Sequence, residues 1–334
     1  MIAVLAGGVG GARFLQGLVQ VAPQEQITVI ANTGDDHDFY GLHVSPDVDT
    51  VIYTLAGIVD EHNGWGICND TYNTMQQLTS YGYEDWFQLG DRDLATHIHR
   101  TNLLRQGKTM SQVTDILCQH FGLHKGNYQK ENYQLMRLPS IHPLPNGMVN
   151  ALCILPMSDQ PIATHIQTPA GLLHFEEYLV KRRSTDEVQD VIFIGADKAK
   201  PAPGVLDALK QAKAILIAPS NPIVSIGSIL AVPGIKDVLY QTSGTVVAVS
   251  PIVGGAPIKG PADKLMQGMG HEVSAVGVAR CYRDFLDVMV IDDQDAHLVK
   301  QIEALGIAPV VTDTIMRDAA AKANLARTVL HAVS

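Results

Sequence analysis

The chain has 334 residues, 46% of them hydrophobic and 17% charged, a balance that supports a folded core and excludes a disordered or fibrous protein. A formal net charge of −10 excludes general nucleic-acid binding, which rests on neutralising phosphates with Lys and Arg, but leaves room for a small anion held by local charge. No apolar run reaches the length of a membrane span and the first residues carry no basic leader, so a cytoplasmic protein with no membrane role is expected. Cys68, Cys118, Cys153 and Cys281 lack C-x-x-C spacing and read as reduced thiols rather than a zinc or disulfide framework.

In chain order, Met1-Ile-Ala-Val-Leu-Ala6 has the length of a buried strand and breaks at once into Gly7-Gly-Val-Gly-Gly11. Phe14, Leu15, Leu18 and Val19 then share one face of a helix from Ala12 to Val21. Strand, glycines and helix in succession present backbone N–H groups to a phosphate; on the glycines alone a plain tight turn is the other reading. The loop departs from the dinucleotide fingerprint. Arg13 stands where that pattern needs a small residue, and the second apolar run, Ile27 to Ala31, ends in Asn32-Thr33 instead of a ribose-binding acid. Both departures disfavour NAD and favour another phosphate ligand.

Ser45-Pro46 reads as a helix cap with proline at the first position, opening a helix to about Ala56. Asp35, Asp36, Asp47 and Asp49 offer oxygen ligands to a divalent cation, with magnesium the expected ion; the alternative is a solvated loop and a helix-dipole partner. Asp47 and Asp49 are two apart on a helix, so they point to different sides. Sharing one ion would require a later helix start or bridging waters.

From Asp70 to Phe121 the pattern is polar and helical, without a convincing strand. Residues 65–123 read as a helical cap over the strand ends of a single 1–334 domain. Within them, Asp93 and His97, and Thr96 and Arg100, are i,i+4 neighbours that form either a solvated face or a clamp on a ligand; no zinc ligand set follows. Residues 124–150 lack a period and read as an irregular insertion. Strand-like segments return at Ala151–Leu155, Thr164–Gln167 and Val191–Gly195. Further apolar runs end in polar loops at Pro219-Ser-Asn-Pro222, Ser250-Pro-Ile-Val-Gly-Gly255, Asp292-Asp293 and Thr312-Asp313, before a last helix to about Val333. The alternation predicts a Rossmann-like α/β fold, a mainly parallel sheet flanked by helices, with ligand beyond the strand carboxyl ends. Lys259 and Lys264 flank a Gly-Pro turn as ligand contacts or as surface charges. No G-x-S-x-G elbow suggests a covalent hydrolase.

Taken together, the motifs resemble the 2-phospho-L-lactate transferase family of coenzyme F420 biosynthesis. The resemblance rests on Gly7-Gly-Val-Gly-Gly-Ala-Arg13, Ala31-Asn-Thr-Gly-Asp-Asp36, Ser45-Pro-Asp-Val-Asp-Thr-Val51, Leu89-Gly-Asp-Arg-Asp-Leu-Ala-Thr-His97, Leu155-Pro-Met-Ser-Asp159, Pro219-Ser-Asn-Pro-Ile-Val-Ser-Ile-Gly227, Val249-Ser-Pro-Ile-Val-Gly254 and Lys259-Gly-Pro-Ala262, with shorter matches to Thr314. They run in the family's order nearly end to end; residues 124–150 are longer than the family's usual link. The resemblance implies a Mg2+-dependent phosphotransferase. It would move a phospholactyl, phosphoenolpyruvyl or phosphoglyceryl group from a guanosine-diphosphate-activated donor to the deazaflavin precursor Fo and release GMP. It also implies a homodimer working with a guanylyltransferase.

Carried onto this chain, Asp47, Asp49, Asp91 and His97 would be catalytic, and Asp47, Asp49 and Asp60 would hold the metal. Gly7, Gly8, Gly10, Gly11, Asn32, Thr33, Asp36, Arg92, Thr96, Ser158, Asp159, Ser220, Asn221, Ser225 and Lys259 would contact substrate. The alternative is a nucleotide-sugar-binding regulator similar to the gluconeogenesis factors, which shares mainly the first forty residues and has no transferase activity.

Overall fold

The computed structural model describes residues 1–123 and 152–333. The insertion expected at 124–150 lies outside them, as does Ala151. The first two apolar runs become strands β1 (Ile2–Ala6) and β2 (Ile27–Ala31). Helix α1 (Gly8–Leu18) carries the chain back between them, so they pair in parallel with Val4 opposite Val29. Five more strands join: β3 (Cys153–Pro156), β4 (Ala214–Ile217), β5 (Thr245–Val249), β6 (Val288–Asp292) and β7 (Ala308–Thr312). The order across the sheet is β7-β6-β5-β4-β1-β2-β3, with every neighbouring pair parallel. Read from the other edge, this is the doubly wound 3-2-1-4-5-6 order with one strand added. The order reverses between β1 and β4. The loops leaving those strands therefore part at their carboxyl ends and open a crevice there.

Alternate strand residues feed two cores. Val4, Val29, Leu216, Val247 and Val290 pack on one side with Phe14 and Leu15 of α1. The same core takes Val51 and Ile52 of α2 (Pro46–Leu55). Leu5, Ile30, Ile217, Ala248 and Ile291 pack on the other side with Ile226, Ile229 and Val276. Covering both faces is what lets the strands be continuous apolar runs, and each fully buried aliphatic chain contributes about 1.5–3 kcal/mol.

The Ser45-Pro46 signal places the start of α2 correctly, although the Ser45 hydroxyl donates to Asp36 Oδ1 at 2.6 Å instead of capping the helix. Residues 70–121 contain helices Asn73–Ser80, α3 (Asp91–Arg105) and Met110–His120, and no strand, in accord with their polar helical pattern. The expected strands near 164 and 191 form at Ala163–Thr168 and Asp190–Ile194. With Gly171–His174 they make a separate antiparallel sheet that does not extend the parallel one. Backbone bonding of Thr164 N–H to the Gly34 carbonyl at 2.6 Å fastens this sheet beside the end of β2. A small hairpin, His37–Phe39 with Leu42–Val44, was not evident in the sequence; Tyr40 and Gly41 turn it with φ of 54° and 75°. No helix among the described residues is long and apolar enough to cross a membrane.

Candidate active site

The loops after β1 and β4 interlock at the crevice. Gly7 N–H donates to Ser220 Oγ at 3.1 Å, and that hydroxyl donates back to the Gly7 carbonyl at 2.7 Å. Side chains are excluded by the approach of neighbours: a Cβ at Gly7 would sit 2.5 Å from Asp47 Oδ2, and one at Gly10 would strike the Pro219 carbonyl oxygen. The glycines thus let three segments close on one point while α1 points its N-terminus, free of acidic residues in the first turn, at the cavity. Gly10→Ala is expected to force Pro219–Asn221 outward, raising the KM for the donor about 10-fold or more and lowering the melting temperature. Unchanged steady-state kinetics would show that the two loops move independently.

Asn32, at the end of β2, is the hub behind this loop. It is fully buried, and its Nδ2 donates to Asp35 Oδ2 and to Asp47 Oδ2, each at 2.9 Å. Its Oδ1 accepts from Gly34 N–H at 2.7 Å and from Ser228 Oγ at 2.6 Å. A neutral amide therefore spaces two carboxylates at the position where a dinucleotide site would hold one acid. Asp35 Oδ1 is buried without a hydrogen-bond partner.

Burial, and then the charges of Asp47 and Glu176, push the Asp35 carboxyl well above the usual range. Burial likewise raises Asp47 to about 6, against the hydrogen bond from Asn32 and the Gly8 N–H. Glu176 follows the Gly171–His174 strand into the cavity wall, where burial and then Asp47 and Asp36 raise it to about 8. Among the described residues no ion pair reaches Asp35, Asp47 or Glu176. This is a carboxylate cluster short of positive charge. It does not make a closed metal cage, since no three His, Cys, Asp or Glu side chains among the described residues converge as metal ligands.

Asp49 faces the other way, as its two-residue offset from Asp47 requires. Both its oxygens accept from the fully buried Arg100 guanidinium, through Nη1 at 2.9 Å and through Nη2. Arg100 Nη1 also lies 3.1 Å from His97 Nδ1, which accepts; His97 Nε2 then carries the proton and faces Asp93 Oδ1 at 3.2 Å. Tyr53 OH donates to that same Asp93 oxygen at 2.8 Å. The expected Asp93–His97 pairing is present, whereas Arg100 turns to Asp49 on α2 instead of to Thr96.

A cavity of about 640 Å³ runs along the crevice. Of the residues read from the sequence, Gly7, Gly8, Gly10, Asp47, Asp49, His97, Ser220, Asn221, Ser225 and Lys259 line it. Asn32, Thr33 and Thr96 are buried off the wall, Gly11 packs against Ser220, and Asp36 accepts from His43 at 3.0 Å and from Ser45. Other residues serve local structure. Asp91 accepts from Thr71 Oγ1 at 2.5 Å and Thr74 N–H at 2.9 Å at the start of helix Asn73–Ser80, and these bonds hold its carboxyl far below the usual range. Asp159 accepts from Ser111 N–H at 2.7 Å, and Ser158 donates to the Lys200 carbonyl at 2.8 Å. Arg92 donates to the Cys68 carbonyl at 3.0 Å. Asp60 Oδ1 accepts the N–H groups of His62 and Asn63 at 2.9 and 3.0 Å. The structure therefore does not gather Asp47, Asp49 and Asp60 at one point; it places Asp47 with Asp35. Glu176 and Tyr53 line the cavity without having been singled out in the sequence.

A Rossmann-like fold with a phosphate-type crevice at its switch point is the class these features define. Two crystal structures of one Bacillus halodurans protein, described in one case as a member of the upf0052 family, share the fold with TM-scores of 0.61 and 0.57 at 15% and 16% identity, covering 98% of each chain. The sequence profile described as 2-phospho-L-lactate transferase CofD matches residues 2–127 and 147–331, and the chain belongs to that family. A phosphoenolpyruvate transferase of Kitasatospora aureofaciens is 44% identical over 98% of this chain and 96% of its own length. A 2-phospho-L-lactate transferase of Methanosarcina mazei is 39% identical over 98% and 99%.

Proposed function

We propose that the protein transfers a phospho-acid group from a guanosine-diphosphate-activated donor to Fo and releases GMP, in coenzyme F420 biosynthesis. The observation that carries this reading is the meeting of the α1 N-terminus, through Gly7 and Gly8, with the under-neutralised pair Asp35 and Asp47. A diphosphate needs the first, and a divalent cation accompanying it needs the second.

Asp47 and Asp35 fit magnesium, which commonly binds through one or two carboxylates and completes its shell with phosphate oxygens and water. The unpartnered Asp35 Oδ1 is the specific sign of that fit. When bound, the ion would neutralise charge developing on the diphosphate oxygens. The protein's own groups supply the remainder. Backbone N–H groups of α1 hold the diphosphate, and Ser220 fixes the Gly7 loop that presents them. A hydroxyl of the acceptor forms the new P–O bond as the bond to GMP breaks. Glu176 carboxylate, near 8, is matched to take the hydroxyl proton close to neutral pH. Arg100 and His97 keep Asp49 fixed in the wall beside the acceptor. A cytoplasmic homodimer supplied by a guanylyltransferase is the expected setting. Enolpyruvate, lactate and glycerate donors differ by small groups that a pocket separates only modestly.

Raised carboxyls carry a pH signature. Asp47 and Glu176 bind protons in the folded state that the unfolded chain releases, so their stabilisation is complete below the ordinary carboxylate range and is lost as pH rises through about 6 and about 8. The ligand-free protein is expected to melt at lower temperature at pH 9 than at pH 6, and Glu176→Gln to flatten the upper part of that slope. A flat or rising profile would mean that water already reaches these groups. The reading as a whole is tested by ligand choice: Fo, followed by its fluorescence, is expected to bind and UDP-sugars to be ignored. The reverse preference would favour the nucleotide-sugar-binding regulator.

A further inference from the structure

The cavity mouth carries wet apolar surface that neither the glycine loop nor the carboxylates explain. Trp65 is 42% exposed and Ile258 is 60% exposed, and both line the cavity. Trp65 does not hang on a loose loop. A β-bridge between Val59 and Ile67 closes its loop, and inside it Asp60 N–H bonds the Gly66 carbonyl at 3.1 Å and Gly64 N–H bonds the Asp60 carbonyl at 2.7 Å. Gly64 and Gly66 take φ of 80° and 72° on either side of the indole. A Cβ on Gly64 would lie 2.5 Å from Val9 Cγ1, so the loop rests directly on the first turn of α1. Lys259 Nζ donates to the Asn63 carbonyl and ties this loop to the segment carrying Ile258. Such an indole is pre-organised and loses little conformational freedom when a ring is laid on it.

Its surroundings identify the ring. Arg13 and Lys259 line the cavity and lie close enough that Arg13 disfavours the charge on Lys259. These cations favour a ring attached to phosphate. In an in-line displacement the attacking hydroxyl and the leaving nucleotide lie on opposite sides of the phosphorus. The carboxylates Asp47 and Glu176 mark the hydroxyl side, and the Arg13–Lys259 group marks the leaving side. We propose that Trp65, with Ile258 beside it, is the stacking platform for the purine ring of the guanosine donor, held next to the diphosphate on α1. This rests on the transferase reading above and adds the place of the base.

The chain has two tryptophans, Trp65 and Trp86, so subtracting the Trp65→Phe signal from that of the wild type isolates Trp65 emission. GDP and GMP in the presence of magnesium are expected to quench that emission. Trp65→Ala is expected to weaken GDP binding in calorimetry about 10-fold or more, in line with base–aromatic stacking. Trp65→Phe should stay within about 3-fold, and Fo affinity and kcat at saturating donor should hold in both variants. Wild-type affinity for GDP in Trp65→Ala would overturn the platform and leave the transferase reading standing. Loss of Fo affinity instead would assign the platform to the acceptor and overturn the proposal. Failure of the wild type itself to bind any guanosine nucleotide would bring down both, a result distinct from the other two.

Discussion

Replacing Asp47 with Asn is expected to lower turnover about 10³-fold or more while leaving the fold as stable as before, or slightly more stable. Asp47 is buried at the mouth of the glycine loop, and burial already holds its carboxyl up at about 6. Removing its charge therefore relieves a desolvation cost in the empty protein. The amide carbonyl of the variant can still accept from Asn32 Nδ2, which now donates to Asp47 Oδ2 at 2.9 Å. What disappears is one of two carboxylates available to a cation beside the diphosphate, and charge neutralisation carries much of the acceleration in phosphoryl transfer. The opposed changes are the test: kcat at saturating magnesium and donor, measured beside a thermal melt. Near-normal turnover would remove Asp47 from the chemistry, and a large fall in melting temperature would make it a structural residue.

Arg100→Met carries the largest expected stability effect. The variant fills similar volume but leaves Asp49 buried between α2 and α3 with no counter-charge, and breaking a buried ion pair from one side costs about 3–5 kcal/mol. Most of that loss belongs to the stranded carboxylate, so adding Asp49→Asn to Arg100→Met should restore a large part of it. Urea unfolding of the two single variants and the double variant would give the coupling directly. A loss below about 1 kcal/mol for Arg100→Met would show that solvent screens the pair. His97 is expected to lose its orientation as well, because Arg100 Nη1 is the donor to its Nδ1.

Local signals carried much of the architecture. A five-residue apolar run broken by glycines can only leave a sheet as β1 leaves this one, and Ser45-Pro46 marks the start of α2 through backbone chemistry that needs no tertiary partner. The switch point followed from strands alternating with helices. Charge pairing over distance was not legible. Arg100 and Asp49 are 51 residues apart, and the helical spacing that offered Thr96 as a partner says nothing of α2. Glu176 reaches the cavity only because an antiparallel sheet is fastened to Gly34 by Thr164, a contact with no local pattern. Asp91 and Asp159 show the opposite limit. An aspartate that satisfies helix N–H groups and one that meets a ligand have the same sequence appearance, and the structure places both at helix starts.

The central claim is tested most directly by a coupled reaction containing magnesium, GTP, Fo and a guanylyltransferase, with products read by mass. Phosphoenolpyruvate, 2-phospho-L-lactate and 3-phospho-D-glycerate would be supplied in turn. A phosphodiester of Fo formed in step with GMP, from at least one of the three, is the expected result and names the donor. Absence of any Fo product from all three, with the guanylylated donors shown to be present, would contradict the transferase reading.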